Sequence, residues 1–457
     1  MGSVDVITTA AQAGAWLEGL INHEKLKSFR SARLDLAPIE ALMERLGHPE
    51  RALSILHVAG SKGKGSVCLL AESMLEAMGE RVGTFTSPHL ERWTERFRVD
   101  GREVTSDELA SAAEIVRPHV ESMRAIPSGP VPTFFDATTA IALVLFARHR
   151  VDRAIIEVGL GGRLDSTNVV QPAVTVVTQI ELEHTDKLGS RLEDIAFEKA
   201  GILKPEIPCV TGSLVEPAQS VVDAKAQEVG APIARLGRDF FLKRNVGDAS
   251  SDRDFDFVEG EESIAGLELP LLGRHQFDNA ALAIAAIRRL RSLQGNRAKE
   301  QIRVGLSRVQ LPGRLEILCE HPRVIVDAAH TEASARSLAE VLAGQPANRR
   351  GLVLSISRDK SVTAILEILA PVTDEIWLTR ADANRSSDLD VLQGWVGQFM
   401  PGVPQHAIES AEEATRMAFL SMSPDDLLCC AGSVYLAGAA RRTLQALTAA
   451  PSSSLRS

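Results

Sequence analysis

HVAGSKGKGS, residues 57–66, closes the short β-rich run ILHVAG (55–60) and opens the helical pattern SVCLLAESMLEAMGE. Strand, glycine loop, helix is the order a phosphate-binding loop requires. Gly60, Gly63 and Gly65 let the backbone wrap closely round phosphate oxygens. The helix start offers unpaired N–H groups and the positive end of its dipole. The spelling departs from G-x-x-x-x-G-K-[ST]. Lys64 follows Gly63 as a phosphate-contacting lysine should, but Gly65 comes next and Ser66 arrives one place late. Lys62 is better placed for solvent or substrate. A hydroxyl beside the lysine normally helps hold Mg²⁺, which takes oxygen ligands. Ser66 sits a residue deeper in the helix. Ser87, in TSPH at the end of the next strand, is the other candidate. The competing reading is a glycine-rich turn without a ligand, and the flanking strand and helix weigh against it.

The alternation continues outward. RVGTFTSPH (81–89) reads as a second strand, giving a βαβ unit and a parallel sheet. TTAIALVLFARHR is helical, RAIIEVGLGGR a strand entering a glycine loop, AVTVVTQI a strand, LEDIAFEKAGIL a helix and IPCVTG a strand. Residues 11–48 read as helical with a break around Ser28–Leu36. The polar segment 244–263 reads as a hairpin or surface loop, FDNAALAIAAIRRLRSL as a helix, and QGNRAKEQ (294–301) as a turn-rich connector. After Leu311-Pro312-Gly313, PRVIVDAAH, RGLVLSIS, DEIWLTR and DLLCCAGS restart the pattern as strands between helices. The fold class expected is α/β: a P-loop-type ATPase domain with a mostly parallel sheet over residues 1–310, and a smaller Rossmann-like domain over 311–457. The terminal TAAPSSSLRS reads as a disordered tail.

Bulk properties narrow the function. The 457-residue chain is 45% apolar, enough for a large core. Its net charge of -10 argues against nucleic acid or an anionic membrane as partner. Cys68, Cys209, Cys319, Cys429 and Cys430 show no zinc spacing, so they read as reduced core thiols. The N-terminus lacks a signal-peptide pattern, and no apolar stretch is long enough to span a bilayer. A cytoplasmic protein is expected.

Several strand ends carry polar side chains. Glu157 precedes three glycines, where a carboxylate suits a metal site. Glu181, Glu183, His184 and Asp186 follow AVTVVTQI, and a neutral His184 could ligate a metal. Lys199 lies among apolar neighbours in AFEKAGI. A lone helical lysine usually reaches solvent, but a buried one near other cations would have a depressed pKa and react with CO₂. Gln276 and Asn279 share a helix face, able to read a purine edge or to cap the helix. Arg314, Asp327, His330 and Ser433 follow strands or the boundary, and each has a purely structural reading as well. A regulatory GTPase would need a guanine-reading N-K-x-D, which the chain lacks. A structural protein would not need so many polar strand ends on one edge.

Together, HVAGSKGKGS, TSPHLERWTERFRVDG, PTFFDATTAIAL, EVGLGGRLDSTNVV, EHTDKLG, FEKAGI, LPLLGRHQFDNAALA, LPGRLE, VDAAHT, ISRDK and AGSVY resemble, in order and spacing, the folylpolyglutamate synthase/dihydrofolate synthase family of the Mur ligase superfamily. The resemblance runs from about residue 35 to 440. It implies an ATP-dependent ligase that joins L-glutamate to dihydropteroate or a reduced folate, with its active site between two domains. It further implies that Gly60, Ser61, Gly63, Lys64, Gly65 and Ser66 bind ATP. Ser87 and Glu157 would hold one Mg²⁺, and His184 with Glu157 a second. Lys199 matches a lysine carbamylated in the superfamily. Asn279, Arg314 and Asp327 match nucleotide-contacting positions. His330 and Ser433 match positions for the incoming glutamate. Asp136 stands where the family usually has Glu, on the pterin side. SKGKGS and VDAAHT also depart from the usual TNGKGS and DGAHN, the latter touching glutamate recognition near Thr331. A monomer acting on small molecules alone is expected.

Overall fold

The computed structural model describes residues 6–22, 35–244, 253–290, 295–358, 360–383 and 385–449. The expected break at 28–34, the centre of the polar segment (245–252), Asp359 of ISRDK and the tail from 450 lie outside the described residues. Contacts divide the chain into two compact units. One comprises Met1–Pro270 with Arg274–Val309, the other Leu271–Gly273 with Gln310–Ser457.

The first unit is built round strand Ile55–Ala59, all five residues of which are buried. Burial on both faces is what a parallel strand between helical layers shows. It lies between Arg153–Glu157 and Val174–Val177, with Val58 in register with both Glu157 and Val176. Across the eight-stranded sheet the order is Arg102–Glu103, Phe97–Val99, Val82–Phe85, Arg153–Glu157, Ile55–Ala59, Val174–Val177, Cys209–Thr211, Ile233–Arg235. The six from Val82–Phe85 onward run parallel, so their C-terminal ends open on one edge, where such sheets place ligands. Helix Phe134–His149 is apolar nearly all round and buried as that pattern demands. It packs in a core with Ile55, Phe85 and Ile156. Each fully buried Leu, Ile or Phe there contributes about 1.5–3 kcal/mol.

Strands Phe240–Arg244, Asp254–Glu259 and Glu262–Glu268 form an antiparallel sheet. The polar segment is thus a hairpin that extends to Glu268, with Phe255 and Phe257 alternating inward. The reading of QGNRAKEQ as a connector is corrected: Asn296–Arg308 is a helix. Its apolar stripe, Ile302 and Leu306 with Gly305, starts only after the polar stretch and is buried. Gly305 is what lets it approach Lys64–Ala77 so closely. A Cβ there would lie 2.5 Å from the Met74 Cα, and the Ser73 hydroxyl donates to the Gly305 carbonyl at 2.7 Å.

The second unit has a six-stranded sheet, ordered Glu316–Glu320, Arg323–Val326, Leu427–Ala431, Arg350–Leu354, Glu375–Arg380, Gln405–Ser410. Only Glu316–Glu320 is antiparallel. The four inner strands are those legible as apolar runs. The two edges are half-exposed: Gln405–Ser410 carries no such run, and in Glu316–Glu320 Ile317-Leu318-Cys319 lies between glutamates. Both units are therefore α/β with mostly parallel sheets. Cys68, Cys209, Cys429 and Cys430 are buried free thiols and Cys319 a partly buried one. No described helix is long and apolar enough to cross a membrane.

Candidate active site

The loop after Ile55–Ala59 is held by its neighbours. The buried Ser61 donates its N–H to the Gln179 carbonyl (2.6 Å). Its hydroxyl accepts from the Glu181 N–H (2.9 Å) and donates to the Glu181 carbonyl (3.1 Å). The Thr178 hydroxyl donates to the Lys62 carbonyl. Ser61 thereby stitches the loop to the end of Val174–Val177. Gly63 sits at φ 82° as the residue before helix Lys64–Ala77, and a Cβ there would meet the Asn279 Oδ1 at 2.3 Å. Asn279 is itself fixed, its amide donating to the Gln276 Oε1 at 2.9 Å. Gly63→Ala should therefore cost about 1–3 kcal/mol of stability from the left-handed backbone alone, read as a fall in the denaturation midpoint, and should displace the Asn279 side chain.

Lys64 folds back over the loop and donates to the Gly60 carbonyl at 2.9 Å. Lys199 donates to the same carbonyl at 2.9 Å and to the Glu183 Oε1 at 2.8 Å. Lys199 is 1% exposed, so its helical position belies the usual solvent-reaching lysine. Burial, then the Lys64 ammonium, pull its pKa from 10.5 down to about 8 against the opposing pull of Glu183. The native site binds its proton less tightly than the unfolded chain. Its contribution to stability is thus least favourable below about pH 8 and improves as pH rises from there toward 10.5. Lys199→Met should flatten the pH dependence of the urea midpoint across that window.

Glu157 is buried at the end of its strand and accepts the Ser87 N–H at 2.9 Å through Oε2. A Cβ on Gly65 would lie 3.5 Å from the same oxygen. Ser87, Glu157 and the start of helix Lys64–Ala77 are thus one cluster, and Ser66 lies buried in that first helical turn. One carboxylate and one hydroxyl beside a phosphate loop fit Mg²⁺, which commonly takes few protein ligands and completes its shell with phosphate oxygens and water. His184, exposed and at φ 46°, starts the short helix Thr185–Leu188. Its neighbour Glu183 is the residue that reaches the buried Lys199.

A cavity of about 170 Å³ is lined by residues that follow Glu157 closely in the chain, Gly159, Leu160 and Asp165, and by Phe134, Phe135 and Asp136. Asp136 caps helix Phe134–His149: its Oδ2 accepts the Thr133 N–H and hydroxyl (2.8 and 2.7 Å), and its Oδ1 the Ser166 hydroxyl (2.6 Å). Asp165 accepts the Leu160 and Thr167 N–H groups at 2.8 and 3.0 Å. Burial pushes its pKa up to about 6 against those bonds. Asp165, Thr167 and His57 escaped the sequence reading. The only signal was polar DSTN following the glycines.

In the second unit, Asp327 ends strand Arg323–Val326 and accepts the Leu315 and Ala329 N–H groups at 2.7 and 2.8 Å. The His330 Nδ1 lies 2.8 Å from the Ala328 carbonyl. The Ser433 hydroxyl accepts the Leu436 N–H at 3.0 Å after the neighbouring strand. The Arg314 guanidinium donates to the Gly313 carbonyl at 3.2 Å. Asp327, His330 and Ser433 thus share the C-terminal edge of that sheet, where Asp327 donates its N–H to the Cys430 carbonyl.

Comparison with known proteins shows which sequences and structures the chain is similar to. Residues 58–287 match the Mur ligase middle domain, and residues 313–434 the Mur ligase glutamate ligase domain. A Bacillus subtilis protein named dihydrofolate synthase/folylpolyglutamate synthase is 37% identical over 84% of this chain and 87% of its own. A structure titled as Escherichia coli FolC in complex with DHPP and ADP superposes with a TM-score of 0.84 at 32% identity, covering 98% of this chain and 100% of that one. A Yersinia pestis bifunctional folylpolyglutamate synthase/dihydrofolate synthase, titled as having Mn, AMPPNP and L-glutamate bound, gives 0.80 at 30% identity, covering 97% and 99%.

Proposed function

The chain belongs to the folylpolyglutamate synthase/dihydrofolate synthase family of Mur ligases, and on that premise we propose that it is bifunctional, joining L-glutamate both to dihydropteroate and to reduced folates. It is an ATP-dependent ligase that acts on small molecules. The observation that carries the reading is the single stretch 157–165. Its first residue, Glu157, reaches the phosphate loop, while Gly159, Leu160 and Asp165 line the cavity. An acceptor held there has its carboxylate beside the nucleotide's terminal phosphate. Two phenyl rings and three aspartates, Asp35, Asp136 and Asp165, suit a planar heterocycle with N–H donors, and we assign the cavity to the pterin.

In the proposed mechanism the acceptor carboxylate attacks the γ-phosphoryl group of ATP, giving an acyl phosphate and ADP. The loop N–H groups and Lys64 hold the transferring phosphoryl oxygens. The amine of L-glutamate then attacks the acyl carbon, and the tetrahedral intermediate collapses to an amide and phosphate. Asn279, Arg314 and Asp327 are proposed to contact the nucleotide, and His330 and Ser433 the glutamate, dividing the work between residues 1–310 and 311–457. A bound divalent cation neutralises phosphate charge. Ser87 and Glu157 fit one such ion, and Glu157 with His184 is the proposed pair for a second. Lys199, with its pKa near 8, has a neutral amine fraction able to take up CO₂, and the carbamate would place negative charge beside that second ion. We take the enzyme to be a cytoplasmic monomer.

The deciding experiment is ADP release from purified protein with ATP, Mg²⁺ and L-glutamate, comparing 7,8-dihydropteroate with a tetrahydrofolate monoglutamate. Release with both supports the bifunctional reading, and release with one assigns a single step. Release with neither, from protein that binds ATP, would reject both acceptors.

A further inference from the structure

His57 lies in the strand that feeds the phosphate loop, with no exposure at all. Alternation along the strand puts it on the face of Ile55, and the cross-strand partners of Ile55 and His57, Ala154 and Ile156, belong to the core round helix Phe134–His149. Its Nε2 stands 2.9 Å from the Thr167 hydroxyl, and its Nδ1, also buried, has no hydrogen-bond partner among the described residues. The Thr167 hydroxyl in turn bonds the Asp165 Oδ1, which also accepts the Thr167 N–H. A wire of three side chains therefore joins the phosphate-loop strand to the cavity.

Its protons can be placed. An ionised carboxylate only accepts, so the Thr167 hydroxyl donates to Asp165. That leaves its oxygen to accept, and the proton of the neutral imidazole sits on Nε2. Run the other way, the imidazole proton would sit on Nδ1 as a buried donor with no acceptor. The partnerless Nδ1 thus fixes the direction of the wire. Burial and the charge of Lys204 hold the ring neutral, its pKa down to about 3. Asp165 has roughly four lone-pair positions. Thr167 takes two and the Leu160 N–H a third. One, on Oδ2, is left over in a residue that lines the cavity.

We propose that His57 is a positioning residue for the acceptor: through Thr167 it holds the Asp165 Oδ1 and so orients the carboxylate, leaving the open lone pair of Oδ2 to select a ligand presenting an N–H donor. The inference rests on reading the cavity as the acceptor site. It also makes one strand serve two substrates, since the residues directly after His57 shape the phosphate loop.

The test is steady-state ADP release by the full-length enzyme at saturating L-glutamate, with KM measured separately for ATP and for the acceptor that the wild type uses. Asp165→Asn tests the cavity and should raise the acceptor KM about tenfold, the worth of one hydrogen bond, with the ATP KM within about twofold. Thr167→Val and His57→Leu should reproduce that one-sided rise. Thr167→Ser and His57→Gln keep the hydroxyl and the N–H donor, and should return the acceptor KM to within about twofold of wild type. If Asp165→Asn raises the acceptor KM but Thr167→Val and His57→Leu do not, the positioning role is overturned and the cavity assignment stands. If Asp165→Asn changes nothing, the cavity assignment fails and takes the inference with it. If both KM values and the melting temperature shift together and the conservative variants give no rescue, His57 is a core residue only. Should His57→Leu not fold, the near-isosteric Thr167→Val decides alone.

Discussion

Lys64→Ala will abolish glutamate-dependent ADP release while leaving the fold intact. Lys64 opens helix Lys64–Ala77, where alanine is at least as good a helix former. Its one assigned hydrogen bond, to the Gly60 carbonyl, is backed up by Lys199 on the same oxygen, so no buried acceptor is orphaned. The loss falls on the charge proposed to face the transferring phosphoryl group. Removing one preorganised group of that kind costs about 10²–10³-fold in rate, and loss of a full charge lies at or beyond the upper end. A second consequence follows from the shared carbonyl. The Lys64 ammonium is one of the influences that lower the Lys199 pKa. Removing it moves that pKa up, leaving less neutral amine at a given pH. In bicarbonate labelled with ¹³C, a carbamate signal absent from Lys199→Met should therefore weaken in Lys64→Ala at fixed pH. Near-normal turnover by Lys64→Ala would sink the loop assignment.

How much could be read in advance depended on whether a residue's role is local. The strand–glycine loop–helix at residues 55–77 was legible because its strand, glycines, lysine and helix are contiguous. The inner strands of both units were legible because parallel strands are buried on both faces and read as apolar runs. Edge strands Glu316–Glu320 and Gln405–Ser410 have one partner and half-exposed side chains, so Gln405–Ser410 carries no such run and Ile317-Leu318-Cys319 is bracketed by charge. Helix Asn296–Arg308 was hidden because its polar first turns precede the stripe at Ile302 and Leu306. In the site, Ser87 and Glu157 could be named because each ends a strand that the sheet order brings to one edge. What could not be read was the depth of Lys199, which depends on a carbonyl 139 residues away. The wire from His57 to Asp165 was equally illegible. It is a tertiary contact across 110 residues, and a histidine in an apolar strand gives no sign of what its ring meets.

Glu157→Gln carries the other large effect, and it separates charge from shape. Glu157 is 5% exposed, and its Oε2 accepts the Ser87 N–H. Glutamine has nearly the same volume, and its amide oxygen can keep that bond, so the denaturation midpoint should move by the equivalent of no more than about 1 kcal/mol. What disappears is the negative charge at the end of the strand, opposite Gly65. A cation site with one hydroxyl, one neutral amide and phosphate oxygens is much poorer than one with a carboxylate. Mn²⁺ in the presence of a nonhydrolysable ATP analogue reports this without turnover. Its affinity, followed by electron paramagnetic resonance, should fall at least about tenfold, and ADP release by about 10²–10³-fold. Ser87→Ala, which removes a neutral oxygen but leaves the main-chain N–H on Glu157, should lose less in both measurements. Unchanged Mn²⁺ affinity in Glu157→Gln would mean that the carboxylate only orders the Ser87 turn. The ligand would then have to come from elsewhere on the same sheet edge, with Glu183, now tied to Lys199, the nearest remaining carboxylate to the loop that the hydrogen bonds identify.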